Sequence, residues 1–336
     1  MKYCFQLLPH ANIRYQESLN LLGSAELSCI LQALNIKTDV QLATIGGAPF
    51  LCFETEALTQ EQLNACASHS ALNFMCAEEN GLLRPLTCDR GDYFPRDLAE
   101  VLKYKGKTSA VFTHMMINLA LTASDFYGAK RQLTVLDPLC GRGTTLFVAL
   151  ERGMNSVGID LDRKDLKEAA DYLSRYLQYH RLKHKLDQSA RTVKGQNVPD
   201  ALYTLADSKQ HFQAGDTRTL RLLLGDTGYA GALMKKTPAD LLVADLPYGV
   251  QHAPQEGRRP ENFPGMLRRV LPAWKDAIKP GAGVAISFNS LTLPRATLVE
   301  LLTAAGFQPM LEPPYNNFEH FVEQAVTRDV VVARKV

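Results

Sequence analysis

The stretch Leu133–Thr145, LTVLDPLCGRGTT, constrains this chain more than any other. An apolar strand runs into Asp137, a loop carrying Gly141 and Gly143 follows, and a helix is expected from about Thr144. Glycine allows positive φ and close approach of backbone to ligand. In a parallel sheet, a strand–loop–helix crossover of this kind puts its loop at the carboxyl edge, where such sheets bind ligands. Further short apolar strands are expected at 156–159, 211–214, 240–244 and 283–288, with helical stretches between them. That alternation predicts a mainly parallel sheet covered on both faces. Residues 306–311 and 328–334 have no helix between them and are expected to pair antiparallel at the sheet edge.

The first 90 residues read differently. Glu17–Leu34 has helical spacing of Leu and Ile, and 40–55 looks like a hairpin around Gly46-Gly47. Residues 59–76 look helical, with Thr59 three before Gln62 as a capping box. This is a small α/β module without a chemical motif. A polar connector rich in Gly and Pro follows at 88–108, then an apolar helix from Ser109 to Ser124, capped by Thr108 or Ser109.

Several classes are excluded. With 336 residues, 46% hydrophobic and 21% charged, the chain can bury real cores and is not a disordered one. No run of about 18 apolar residues suggests a membrane span, and the N-terminal apolar run is too short for a secretory signal, so a cytoplasmic protein is expected. The seven cysteines (4, 29, 52, 66, 76, 88 and 140) are odd in number and form no CxxC, which argues for reduced thiols rather than disulfides or a metal knuckle. Residues 1–90 hold five Lys/Arg against nine Asp/Glu, net −4, whereas the remainder holds 32 against 26, net +6. A polyanion would therefore prefer the second part.

Four segments carry chemistry. After Gly141 and Gly143, the third position of a GxGxxG pattern falls on Leu146, and Asp137 at the strand end would repel a pyrophosphate. A ligand with a cationic ammonium suits that carboxylate, and S-adenosylmethionine is one. Gly158-Ile159-Asp160 closes the next strand, where a carboxylate can accept hydrogen bonds from both ribose hydroxyls. Gly215-Asp216, after the expected strand 211–214, is placed to meet an adenine amino group. Strand 240–244 then ends in Asp245-Leu246-Pro247-Tyr248-Gly249. An exocyclic base amine is a poor nucleophile because its lone pair is delocalised into the ring. A carboxylate and a backbone carbonyl that each accept one N–H draw the nitrogen towards tetrahedral geometry and aim its lone pair. Pro247 fixes φ beside those carbonyls, and Tyr248 can stack on a flipped or single-stranded base.

LDPLCGRGTT, GIDLD and DLPYG together resemble motifs I, II and IV of the class I S-adenosylmethionine-dependent amino-methyltransferases. The similarity is greatest to the RNA methylase group of Trm11-like and THUMP-associated tRNA guanosine-N2 methyltransferases, and it covers about 93–336. Lys103–Ala120 resembles the stretch that precedes motif I in that group. The resemblance implies a Rossmann-like class I methyltransferase domain over 131–336, with a mixed seven-stranded sheet and helices on both faces. Residues 91–130 would be a connector and pocket-closing helix, and 1–90 the small α/β module. It implies that Asp137, Cys140, Gly141 and Gly143 border the methionine end of the cofactor, that Asp160 holds the ribose, and that Asp216 reaches the adenine. Thr108, Phe112 and Thr113 would line the pocket, with Asp245, Pro247 and Tyr248 facing the target amine and no metal required. Residues 1–90 do not resemble a THUMP domain.

The expected reaction is methylation of a base amine in RNA, with guanosine N2 in tRNA as the specific target. A DNA adenine-N6 or cytosine-N4 methyltransferase shares the chemistry but would need a target-recognition insertion. A non-catalytic nucleotide- or RNA-binding module would not need Asp245, Pro247 and Tyr248. RNA contacts are expected from a basic helix over 163–195, with nine Lys/Arg against four Asp/Glu and interleaved Tyr172, Tyr176 and Tyr179. The alternative is a solvated helix face whose tyrosines pack inward. Arg258, Arg259, Arg268 and Arg269 are further candidates at the rim of the target pocket.

Overall fold

In the computed structural model, which describes residues 1–9, 13–101, 107–247, 255–256, 259–260 and 262–336 (without the side chains of 13–15, 255–256 and 259–260), the chain builds two sheets of very different character. The first is antiparallel throughout. Its elements are β1 (Lys2–Leu7), α1 (Ile13–Ala33), β2 (Gln41–Ile45), β3 (Ala48–Glu54), α2 (Gln60–Ala67), β4 (Leu72–Glu79) and β5 (Leu82–Pro85), with strand order β2-β3-β1-β4-β5. The succession β-α-β-β-α-β with β1 and β3 central is the split β-α-β, ferredoxin-like arrangement. Gly46 and Gly47, at φ 58 and 83, make the tight β2–β3 turn, which requires two positive φ values in succession. The Thr59–Gln62 capping box forms in both directions. The helix it starts is shorter than expected. It ends at Ala67, and residues 72–79 are strand β4, whose Met75, Cys76 and Ala77 are buried in the sheet.

The second sheet follows α3 (Asp97–Glu100) and α4 (Ala110–Thr122). It is built from β6 (Thr134–Asp137), α5 (Thr144–Glu151), β7 (Asn155–Asp160), α6 (Arg163–Tyr179), β8 (His184–Val193), β9 (Gln196–Leu205), α7 (Lys209–Ala214) and β10 (Arg218–Leu224). There follow α8 (Ala230–Met234), β11 (Ala239–Asp245), the two-residue strands β12 (Gln255–Glu256) and β13 (Arg259–Pro260), α9 (Phe263–Asp276), β14 (Ile278–Asn289), α10 (Arg295–Ala304), β15 (Phe307–Pro309), β16 (His320–Glu323) and β17 (Val326–Lys335). The order β15-β17-β14-β11-β6-β7-β10-β9-β8, with β10, β7, β6, β11 and β14 parallel and β17 antiparallel beside β14, is the Rossmann-like class I methyltransferase sheet. The parallel strands are apolar on both faces because helices cover both. Val135, Leu241, Val243 and Ala285 pack with α4, α5 and α6, and Leu136, Leu242, Ala244 and Ile286 pack with α8 and α9. The expected antiparallel edge pair forms as β15 and β17.

Three expectations are corrected. Residues 211–214 belong to a helix: Ser208 caps its start by accepting from the His211 N–H, and Gly215, at φ 77, ends it. The third parallel strand is β10 instead. The sheet exceeds seven strands because β8 and β9 extend it beyond β10 and β16 pairs with β17, giving ten. The basic segment 163–195 is not one helix. It ends at Tyr179 and gives way to the β8–β9 hairpin, whose turn residues Lys194 and Gly195 have φ 48 and 78. Tyr172 and Tyr176 pack inward while Tyr179 is exposed. Since α6 runs back from the carboxyl edge, Arg175, Arg181, Lys183 and Lys185 lie towards the amino edge, and of that cluster's C-terminal half Lys194 stands at the hairpin tip with Arg191, paired with Asp200 (2.7 Å), just below it.

Helix α4 joins the two units. It lies on β14 so closely that a Cβ at Gly283 would sit 1.8 Å from the Ala120 carbonyl oxygen. Its other side meets α1, where the fully buried Glu26 carboxylate accepts from the Ser70 N–H (2.8 Å), the Ser70 hydroxyl (2.5 Å) and the Asn118 amide (2.5 Å). A buried carboxylate this well satisfied is stable only with all its partners in place, so the knot fixes α1 against α4.

Candidate active site

Strand register brings the acidic residues together. Asp137 is opposite Gly158 on β7, and Leu136 is opposite Leu242 on β11. Asp160 and Asp245 therefore stand two residues beyond the level of Asp137, on its two neighbouring strands. Side chains two apart point to one face, so all three carboxylates project towards the side covered by α4 and α5. At about 4.8 Å between strands, Asp160 and Asp245 flank a gap of roughly 10 Å with Asp137 at its floor.

The loop between Asp137 and α5 is held from below. The Leu139 N–H donates to Asp137 Oδ1 (3.0 Å), the Cys140 N–H to the Ile159 carbonyl (3.1 Å) and the Gly143 N–H to the Cys140 carbonyl (2.8 Å). Gly143 sits at the cap position of α5 at φ 86, and no side chain caps that helix. A helix N-terminus presented on a glycine loop favours an anionic group. Asp160 binds the same loop: its Oδ2 accepts from the Gly141 N–H (2.7 Å) and its Oδ1 from the Asp162 N–H (2.8 Å). Gly158 makes this contact possible, because a Cβ there would lie 2.6 Å from Cys140 Sγ and from Leu146 Cδ1.

Asp137 is 2% exposed, and its pKa is pushed up to about 7. Burial is the main cause and the neighbouring Asp160 and Asp245 charges add to it, against hydrogen bonds from Thr145 and the Leu139 N–H. Burial also raises Asp160. Among the described residues no lysine or arginine forms an ion pair with Asp137 or Asp160. The site thus has a negative floor and suits a cationic ligand.

Asp245 ends β11, and Thr108, just before α4, donates its hydroxyl to Asp245 Oδ2. Thr108 thus meets the carboxylate assigned to the amine rather than the cofactor residues. Ser109 occupies the α4 cap position without a side-chain cap bond. Thr113 gives its hydroxyl to the Ser109 carbonyl (3.0 Å), and Phe112 is turned towards His320 and Arg328, on the side of α1 and β16. The Leu246 N–H donates to the Ser287 carbonyl (2.9 Å), which anchors the chain leading into Pro247. Tyr248 and Arg258 lie outside the described residues, as does the side chain of Arg259. Arg268 is exposed on α9, while Arg269 pairs with Asp226 (3.2 Å).

Asp216 does not reach this edge. It precedes β10, at the amino end of the parallel strands, where Arg218 binds it (2.6 Å) and Tyr93 donates to its carbonyl (2.6 Å). The residue beyond the carboxyl end of β10 is Asp226, which the sequence reading missed. Its neighbour Gly225 donates to the Asp160 carbonyl (2.9 Å), and Asp226 itself accepts from the Gly228 N–H (2.6 Å). The pattern LRLLLGD at 220–226, an apolar strand ending in Gly-Asp, was the signal. Among the described residues, no group of three or more His, Cys, Asp and Glu is placed to hold a metal, and no helix is long and apolar enough to cross a membrane.

No protein-family model and no curated protein matches the sequence. Solved structures with a similar course of chain include TrmN from Thermus thermophilus, at 19% identity and a TM-score of 0.41 over 89% of this chain. They also include the rRNA methyltransferase AviRa from Streptomyces viridochromogenes (16%, TM-score 0.40, covering 70% of this chain and 89% of that one). A third is a TehB-like SAM-dependent methyltransferase from Corynebacterium glutamicum (14%, TM-score 0.38, covering 72% and 94%). The chain spans 60% of the length of the Thermus protein.

Proposed function

We propose that this protein transfers a methyl group from S-adenosylmethionine to an exocyclic amine of a nucleobase in RNA, specifically N2 of guanosine in tRNA. The observation that carries this reading is the placement of Asp137, Asp160 and Asp245 on one face at the carboxyl edge, with the Gly141–Gly143 cradle between the first two. When bound, S-adenosylmethionine supplies an electrophilic methyl group. Asp137 meets the cationic amino group of its methionine end, beside Cys140, Gly141 and Gly143. Asp160, held on the loop by Gly141, takes the ribose hydroxyls, and Asp226 rather than Asp216 lies on the adenine side. Asp245, steadied by the Thr108 hydroxyl, accepts one N–H of the target amine. A backbone carbonyl next to Pro247 accepts the other, and Tyr248 stacks on the base. After transfer the nitrogen carries a surplus proton and is strongly acidic, so Asp245 receives that proton readily. Positioning and hydrogen bonding supply the acceleration.

Incubation with methyl-labelled cofactor and total tRNA, rRNA and DNA, followed by nucleoside mass spectrometry, tests the assignment. Label as N2-methylguanosine from tRNA is expected. Label confined to DNA overturns the RNA substrate, and label in none of the three overturns the activity.

Two expectations concern the cofactor alone. Asp160→Ala removes a charged acceptor and strands the Gly141 N–H, so affinity for S-adenosylhomocysteine should fall by about 1.5–3 kcal/mol, the scale of hydrogen bonds to charged groups. An unchanged dissociation constant by calorimetry would put the ribose elsewhere. Affinity should also depend on pH. The Asp137 carboxyl is raised to about 7, and only its ionised form attracts the ammonium. Binding therefore releases a proton below that pH, and affinity rises as pH passes upward through about 7. Between pH 8 and pH 6 a loss of roughly tenfold is expected, since each unit below the pKa costs at most tenfold. Asp137→Asn should flatten the profile, and a flat profile in the unaltered protein would refute this role.

A further inference from the structure

A cavity of about 170 Å³ lies between the two units, walled by α1, the start of α4 and the β16–β17 hairpin. Its lining includes Ser18, Lys107, Phe112, His320, Phe321 and Arg328. The segment 107–112 is a partition. On one side Thr108 donates to Asp245, while Ser109 and Phe112 face the cavity on the other, and the Lys107 stem lines it with its ammonium donating to the Ala99 and Glu100 carbonyls. Arg328 lies 4.5 Å over the Phe112 ring, and His320 is 5.5 Å from that ring's centre. Phe321 is half exposed at the lip. The His320 ring bonds through Nδ1 to the Phe318 carbonyl (2.8 Å), so Nδ1 carries the proton and Nε2 is an acceptor. β17 begins opposite the end of β14, with Arg328 against Asn289, so the hairpin stands at the same sheet edge as Asp245.

An exposed ring above a slot that holds a cation is the chemistry that takes nucleotides of a single strand: a base stacks on the ring, and the cation offsets backbone charge. A base in this cavity cannot present its amine to Asp245, because the 107–112 segment stands between them. Resting on the RNA reading above, we infer that the cavity holds the unpaired nucleotide next to the target, its base stacked on Phe321 and its phosphate drawn by the Arg328 charge. The N-terminal module, through α1, is then half of a substrate-selecting site, although its net charge is negative. The Glu26 carboxylate in the cavity wall is turned to Ser70 and Asn118, from which it accepts three hydrogen bonds.

The test uses the full chain with S-adenosylhomocysteine and a single-stranded RNA pentanucleotide containing 2-aminopurine, whose fluorescence is quenched on stacking. Saturable quenching is expected in the unaltered protein. Phe321→Ala, at a half-exposed position that should not disturb folding, should weaken binding by about five- to a hundredfold, the range for one lost base–aromatic stack. Phe321→Tyr should restore it, and the dissociation constant of S-adenosylhomocysteine should not move. With tRNA, Phe321→Ala should raise KM and leave kcat nearly unchanged. Quenching and KM that are both indifferent to Phe321→Ala overturn the inference. The two readings fail separately. Loss of quenching in Phe321→Ala without methyl transfer to any RNA would sink the enzymatic reading and keep the cavity's role. Transfer to tRNA that ignores Phe321→Ala would do the reverse.

Discussion

Asp245→Ala is expected to lower the turnover number for methyl transfer by at least about a hundredfold, while S-adenosylhomocysteine binds within a few-fold of its usual affinity. The magnitude is that of removing one positioned hydrogen-bonding group from a reacting centre, roughly 10²–10³. The split between the two readouts follows from register. Asp245 stands on β11, across Asp137 from Asp160, so in the proposed site it flanks the end away from the ribose. In the proposed reaction it has two tasks, accepting an amine N–H and receiving the proton that transfer leaves behind, and alanine does neither. Asp245→Asn should be nearly as poor, because its amide offers one acceptor oxygen but cannot take the proton. Thr108→Val, which removes only the hydroxyl that steadies Oδ2, should cost less than either. Collapse of cofactor affinity in Asp245→Ala would transfer this residue to the donor site and leave the amine without its acceptor.

The second large effect is expected from the smallest change. In Gly158→Ala the new methyl carbon would lie 2.6 Å from Cys140 Sγ, 2.6 Å from Leu146 Cδ1 and 2.9 Å from Cys140 Cβ. Both neighbours are buried, Leu146 completely, so neither can swing into solvent. Overpacking of this kind costs about 1–3 kcal/mol, visible as a lower denaturation midpoint. The structural relief open to the chain is to lift the Cys140 loop. That lengthens the Gly141–Asp160 bond and moves the cradle, so affinity for S-adenosylhomocysteine should drop by about tenfold or more, one hydrogen bond to a charged group being worth that much. Cys140→Gly in the same chain removes two of the three close contacts and should recover part of both losses. Unchanged cofactor binding in Gly158→Ala would mean that the loop carries no part of the donor site.

The segments around Asp137, Asp160 and Asp245 were legible in the sequence for a local reason. Each is a short apolar run that stops at an acidic residue, and a strand buried on both faces must be apolar whatever lies around it. The hairpin at Gly46-Gly47 and the capping box at Thr59 were legible for the same kind of reason: backbone conformation and side-chain reach over three or four residues. Asp216 shows where local reading stops. HFQAGD and LRLLLGD both end in Gly-Asp, and distinguishing them requires knowing that Ser208 and Gly215 bracket a helix. The basic run 163–195 reads locally as one helix, whereas a positive-φ turn at Lys194-Gly195 folds the second half back as a hairpin.

Composition and local pattern alone thus determined the α/β class, the crossover loops and the identity of most acidic residues at the strand ends. Tertiary structure decided which of them share a face, because that depends on inter-strand register, where a shift of one residue reverses every side chain. It also decided that the N-terminal module meets the Rossmann-like unit along α4. That contact joins Glu26 to Asn118 across 92 positions of chain, a separation over which no periodicity in the sequence carries information.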